Sequence, residues 1–430
     1  MPAKFVIVGG GSAYTPGICE ALLREGDCFA GWELCLFDIH PGHLEIVGRL
    51  CRNLARAAGA DLRVTWTGDR DEAFTGARFV LNQIRAGGLE ARSLDEKIPL
   101  GYGIVGQETV GPGGLAFAWR SIPACVEIAR AVVRCAPDAW LINYANPAGM
   151  VTEAVLKAVP GARIVGLCDM PEGVQWALAL LLRRHPDRLQ IDNSGLNHCG
   201  WMRLYARDGR DLTPMLRRWL RWLPAWLLPE HYAMPMLALF QRYGLIPSPY
   251  LRYYYFPRRM LRQALATRRT RADAVQARLP RLYAHYAEQA RAEQPRLRER
   301  RGLAVHGDLA VRVIAAMLSG RRERHVVNQL NGGAVPGLPA DRVAEFPVLV
   351  GADGFTPLPQ APLPAGLLPL LQQVKASEAL AVDAALSGDV ALATEAMAAS
   401  PLVPSPAVAA ALTHDLLQAH RAHLPQFFGP

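Results

Sequence analysis

The sequence contains no CxxC pair, no internal repeat and no uninterrupted apolar run near the ~18 residues that a membrane-crossing helix needs. Its eight cysteines, at positions 19, 28, 35, 51, 125, 135, 168 and 199, are scattered, which excludes a small disulfide scaffold and leaves most of them as reduced, buried thiols. The start, Met1 to Val8, lacks the apolar core and cleavage site of a signal peptide, so a cytoplasmic location is expected. Charge is not extreme: 47 Lys and Arg stand against 38 Asp and Glu, for a net +9. The arginines of 203–324 are spread through helix-like segments and match no nucleic-acid recognition module, so no nucleic acid partner is expected and an anionic small substrate accounts for them equally well.

What is present is a large, apolar chain. At 430 residues and 51% hydrophobic content it exceeds the ~250–300 residues at which one core stops growing, so two domains are expected. Strand-like runs at Lys4 to Val8, Glu33 to Phe37, Leu62 to Thr67, Phe79 to Ile84, Trp140 to Tyr144 and Arg163 to Leu167 alternate with helix-like Pro16 to Arg24 and Leu44 to Ala58. That alternation predicts an α/β fold with a Rossmann-like, doubly wound parallel sheet over residues 1–195. From about Asn197 the texture changes to Arg/Ala/Leu helical segments and aromatic clusters, with one further strand at Phe346 to Val350. A mixed, helix-rich second domain is expected over 196–430. The Leu/Pro-rich run Thr356 to Pro369 reads as a surface connection. The tryptophans Trp219, Trp222 and Trp226 lie among arginines and leucines, a mixture that suits a membrane surface. The segment is short and broken by Pro224 and Pro229, so core or interface packing is expected and no membrane partner.

The first strand ends in Gly9-Gly10-Gly11-Ser12 before a helix, and such a turn brings backbone N–H groups and a helix N-terminus against a pyrophosphate. Gly9, Gly11 and Ser12 are the candidates for that contact, although Tyr14 stands where the usual third glycine would fall. Asp38 ends the second strand, where a carboxylate accepts from a ribose hydroxyl and repels a 2′-phosphate, so NAD is favoured over NADP. A helix cap is the other reading of Asp38.

Several short motifs occur in one order: Gly9 to Ser12, Gly106-Gln107-Glu108-Thr109, Gly111 to Gly114, Asn146-Pro147, Cys168-Asp169-Met170-Pro171, Gly195-Leu196-Asn197-His198, Tyr250 to Tyr254 and Asn331-Gly332. Together they resemble glycoside hydrolase family 4, closest to its 6-phospho-α-glucosidases. The resemblance implies a lactate/malate-dehydrogenase-like fold, NAD, a divalent metal, usually Mn2+, and cleavage by redox and elimination, an exception to two-carboxylate glycoside hydrolysis. In that scheme hydride leaves sugar C3 for NAD+, a base takes the acidified C2 proton and the C1 substituent departs. Water then adds and NADH restores the alcohol.

The resemblance further implies roles. Cys168 and His198 match the family's metal ligands; taken alone, a buried thiol and a core histidine explain the same pair. Tyr250 matches the base, with Tyr253 and Tyr254 as alternatives in the same cluster. Asp169 matches the acid of α-specific members, where β-specific members commonly carry Asn. Arg92 and Arg271 match substrate and phosphate contacts, or are ordinary surface ion pairs. Asn146 and Asn197 suit sugar-hydroxyl or metal-shell roles. Arg301 to His306 departs from the Arg-Gly-Gly of some members. The expected partner is a phosphorylated disaccharide or glucoside, in a homodimer or homotetramer. The alternatives are a 6-phospho-β-glucoside, an unphosphorylated glycoside, or a 2-hydroxy-acid dehydrogenase on the same fold.

Overall fold

The computed structural model describes residues 3–222, 233–267, 269–301 and 308–429. Trp226, Arg268 and residues 302–306 lie outside the described residues.

Six strands form a parallel sheet in the order β3-β2-β1-β4-β5-β6: β1 Lys4–Val8, β2 Trp32–Phe37, β3 Leu62–Thr67, β4 Ala77–Asn82, β5 Trp140–Asn143 and β6 Arg163–Gly166. Their sequences, FVIV in β1 and LCLF in β2, are apolar in succession because both faces of the sheet are covered. The intervening helices are α1 Thr15–Arg24, α2 Pro41–Ala57, α3 Arg70–Phe74, α4 Gly88–Gly101, α5 Gly111–Cys135 and α6 Ala148–Ala158. α2 buries Leu44, Val47, Leu50, Cys51 and Leu54, a single stripe at helical spacing. This is the Rossmann-like order expected from the sequence, with strand ends that differ by at most two residues.

The sheet does not stop at β6. β10 (Glu323–Leu330) runs antiparallel beside it, and β11 (Val343–Gly351), β7 (Leu189–Leu196), β8 (Cys199–Ala206) and β9 (Ile246–Pro247) follow, with β12 (Gly354–Pro357) beside β11. Gly166 makes the junction possible, since a Cβ there would stand 2.3 Å from Thr152 Oγ1 and 2.9 Å from Asn328 Cβ.

The sequence reading expected a strand at Phe346 to Val350, which lies within β11, but otherwise helices from about Asn197, and it missed the β7–β8 hairpin and β10. Their buried faces carry Asp192, Asn193 and Asn328, which break the apolar alternation that marks a strand. The Thr356 to Pro369 run is the surface connection that the sequence suggests: largely exposed, it leaves β12, buries Leu363 and Leu367, and runs into the helix α14 described below.

The remaining helices are α7 Met170–Leu181, α8 Thr213–Leu220, α9 Ala233–Tyr243, α10 Leu251–Tyr255, α11 Pro257–Ala266, α12 Arg271–Gln289, α13 Asp308–Ser319, α14 Leu368–Ser387, α15 Val390–Ala399, α16 Pro406–Ala419 and α17 Pro425–Phe428. α14 packs back on α5 and α6, and α16 on α4, so the end of the chain covers helices of the N-terminal half. No described helix is long and apolar enough to cross a membrane.

Candidate active site

Two cavities open at the carboxyl ends of the parallel strands. The first, of about 380 Å³, is lined by Gly9, Gly11, Ser12 and Asp38 together with Gln83, Arg85, Tyr144, Asn146, Tyr283 and Arg301. Gly9, Asp38 and Gln83 each follow the last residue of their strand, and β2 and β4 lie on opposite sides of β1, the point where strand order reverses. Ligands bind in the crevice at such a switch point. Gly9 has φ +79°, and a Cβ on Gly10 would stand 2.7 Å from that of Leu36, so the turn packs against β2 as only glycines allow. Asp38 accepts from the backbone N–H of Gly11 at 2.8 Å and of His40 at 2.9 Å. The four sequence-predicted cofactor residues therefore share one cavity, and Asn146, expected as a substrate contact, lines this cavity too.

The second cavity, of about 620 Å³, is lined by Tyr14, Arg92, Lys97, Glu108, Tyr250, Arg252, Arg269, Thr270 and Arg271, among others. Tyr14 lines both cavities, so they share a wall. The N-terminus of α12 enters here, with Thr270 as its capping residue. Exposed Arg271 faces this anion-attracting surface, whereas Arg92 is buried and committed: its guanidinium bonds Glu96 at 2.8 Å and Glu108 at 3.1 Å. Glu108 is shared with Arg85 of the first cavity at 2.5 Å. Burial pushes the Glu108 carboxyl up, but Arg85 and Arg92 outweigh it and hold the group below the usual carboxylate range. Lys97, Arg252 and Arg269 are basic wall residues that the sequence reading did not single out.

The candidate metal ligands stand behind these walls: His198 packs on Tyr250 of the second cavity, and Cys168 precedes Asp169, whose partner Tyr144 lines the first. His198 occupies the two-residue turn of the β7–β8 hairpin with φ +62°, a conformation that histidine tolerates better than most residues. Its Nδ1 meets Thr109 Oγ1 at 2.8 Å, which leaves Nε2 directed at Cys168 Sγ, 3.4 Å away. Burial lowers the His198 pKa to about 4, so the ring is neutral at pH 7, the form that ligates metals. Burial, with the nearby Glu345 charge, pushes the Cys168 thiol up; a bound cation would reverse this.

Two donors at about 2.1 and 2.3 Å from one ion would stand roughly 3.1–3.6 Å apart, so the observed spacing suits a shared ion. Among the described residues no third Cys, His, Asp or Glu joins them, so other positions would fall to substrate oxygens and water.

Tyr250 precedes α10 and stacks flat on His198, ring centroids 3.7 Å apart and 7° from parallel. Asp169 is the N-cap residue of α7 and hydrogen-bonds the buried Tyr144 phenol, which lines the first cavity. Asn197 donates to Glu345 Oε1 at 2.8 Å. Burial raises Glu345 to about 7. Sequence reasoning missed Glu345, for which a lone charge in an otherwise apolar strand was the available signal.

The fold and site define a dinucleotide-binding α/β enzyme with an adjoining basic cavity. The Family 4 glycosyl hydrolase model matches residues 4–183, and the model of its C-terminal domain matches 194–403. The chain belongs to glycosyl hydrolase family 4. It is 37% identical to a protein named "Probable 6-phospho-beta-glucosidase" from Bacillus subtilis (strain 168), over 99% of this chain and 98% of that one. It is 30% identical to the 6-phospho-alpha-glucosidase of Leptotrichia buccalis, over 98% of each chain. Two crystal structures of 6-phospho-alpha-glucosidase from gut microorganisms match with TM-scores of 0.90 and 0.89 at 30% and 28% identity, over 99% of this chain and 99% and 100% of theirs. The first is in complex with NAD and glucose-6-phosphate, the second with NAD and Mn2+.

Proposed function

We propose that this chain is an NAD- and Mn2+-dependent 6-phospho-α-glucosidase. The observation that carries the reading is the cluster of Cys168, His198, Tyr250 and the neighbouring Asp169, joined to the basic cavity by Tyr250 and to the dinucleotide-type cavity by Tyr144. Residues 1–195 would hold NAD through Gly9, Gly11, Ser12 and Asp38, and residues 196–430 would complete the substrate site. When bound, NAD accepts hydride from the sugar, and the metal polarises the oxygen at that carbon.

The protein's own residues do the rest. Arg271, with the basic wall beside it, holds the 6-phosphate, and guanidinium suits phosphate oxygens geometrically. Asn197 and Asn146 meet sugar hydroxyls. Tyr250 removes the C2 proton. Asp169 gives a proton to the departing oxygen, and an acid at this position favours the α-anomer.

A second reading, a 6-phospho-β-glucosidase, is favoured by the β name of the 37%-identical relative. Nitrophenyl α- and β-glucosides, each with and without 6-phosphate, separate the two when assayed with NAD+ and Mn2+. Turnover of the α-6-phosphate is expected, and exclusive turnover of the β-6-phosphate overturns the α assignment.

We further propose a cytoplasmic homo-oligomer. Eight unpaired cysteines fit a reducing compartment. Six of the eleven exposed large hydrophobics among the described residues lie on or just after α7 and α8: Trp176, Leu180, Leu181, Met215, Trp219 and Trp222. Light scattering of the intact protein tests this, and a monomer mass contradicts it.

A further inference from the structure

We infer that Glu345 is a positioning residue for the Cys168–His198 pair, acting through Asn197 and the turn that it shares with His198; this rests on the reading of Cys168 and His198 as metal ligands. Glu345 lies in β11 and is 1% exposed. Its carboxylate receives three amide donors and, among the described residues, no cation. Asn193 Nδ2 reaches Oε2 at 2.8 Å, while Asn197 Nδ2 and Asn328 Nδ2 reach Oε1 at 2.8 and 2.9 Å. The donors come from β7, from the hairpin turn that carries His198, and from β10. A buried carboxyl group with only neutral partners is an expensive arrangement for stability alone.

Its geometric consequence is specific. An asparagine amide has a donor end and an acceptor end of nearly equal size, and only its hydrogen-bond partners decide which way it points. Glu345 accepts from each of its three amide partners, so it fixes the NH2 end of Asn197 inward. Asn197 and His198 are the two residues of the β7–β8 turn, so the group that holds the Asn197 side chain also fixes the turn that presents His198 Nε2 to Cys168 Sγ at 3.4 Å.

Glu345→Gln tests this without changing volume. One acceptor oxygen then serves three amide donors, and an added NH2 group competes with them. Outer-shell partners of metal ligands typically contribute 10–100-fold to metal affinity. Co2+ added to the full-length protein with NAD+ bound serves as the probe, since a coordinated thiolate gives a charge-transfer absorption.

Glu345→Gln is expected to weaken Co2+ binding about 10- to 100-fold and to diminish the thiolate band, with NAD+ affinity unchanged. Asn197→Leu should do the same, and the double variant should lose no more than either single one. Asn197→Leu alone carries the test if Glu345→Gln does not fold. The inference is overturned if Co2+ affinity and the band survive in either variant, if the two losses add, or if NAD+ affinity falls in parallel. A wild-type protein that shows no thiolate band with Co2+ overturns the metal-ligand reading itself, a different result from a band that survives in Glu345→Gln.

Discussion

The phenol of Tyr250 lies flat against the imidazole of His198, 3.7 Å between ring centroids and 7° from parallel, so the candidate base and a candidate metal ligand are held as one packed unit. Burial pushes the Tyr250 phenol up, and the negative groups at Cys168 and Glu108 add to this. It can act as a base only with a cation beside it. Tyr250→Phe keeps the stacked ring and removes only the oxygen. We expect kcat to fall by about 10²–10⁴, the usual worth of acid–base assistance, with Co2+ affinity preserved. Steady-state rates beside a Co2+ titration check this, and an unchanged kcat assigns the base elsewhere.

The role proposed for Asp169 concerns the leaving oxygen alone. Asp169→Asn should therefore slow a disaccharide 6-phosphate by about 10²–10⁴ while slowing a nitrophenyl glucoside 6-phosphate far less, because nitrophenolate leaves without a proton. Equal losses on the two substrates contradict the acid role.

The two arginines expected from the sequence to meet phosphate part company in the structure. Arg271 is exposed on the wall of the basic cavity, whereas Arg92 is locked between Glu96 and Glu108. Arg271→Ala should lose one charge-assisted contact, about 1.5–3 kcal/mol or roughly ten- to a hundredfold in kcat/KM for the 6-phosphate. Rates on an unphosphorylated glucoside should not change. Equal loss on both substrates removes Arg271 from phosphate recognition.

Glu108 makes a pH signature. Its folded-state pKa is depressed by Arg85 and Arg92 against the cost of burial, so its ionisation contributes stability above the ordinary glutamate value of 4.5, lost as pH falls through the lower folded-state value. Glu108→Gln leaves two guanidinium groups short of a partner and should cost about 3–5 kcal/mol at neutral pH, as broken buried ion pairs do. The gap should close on acidification, since the wild-type side chain then also becomes neutral. Chemical denaturation across pH checks this; a gap that widens on acidification contradicts it.

The N-terminal sheet was legible because its strands are buried on both faces and read as apolar runs. Cys168, Asp169, His198 and Tyr250 were legible as motifs in order. The rest depended on partners distant in the chain. Asp192 pairs with Arg324, and Asn193 and Asn328 meet on Glu345, so strands β7 and β10 carry polar residues whose burial is satisfied only after folding. The commitment of Arg92 was half visible, since Glu96 lies four residues on, one helical turn away. Glu108 completes it from 16 residues along the chain.

The most direct test of the account is turnover of an α-glucoside 6-phosphate in D2O with NAD+ and Mn2+, followed by NMR of the released sugar phosphate. Abstraction of the C2 proton by Tyr250 exposes that carbon to solvent exchange, so deuterium is expected at C2. Released sugar that carries only hydrogen at C2 would contradict the redox-elimination chemistry assigned to this site.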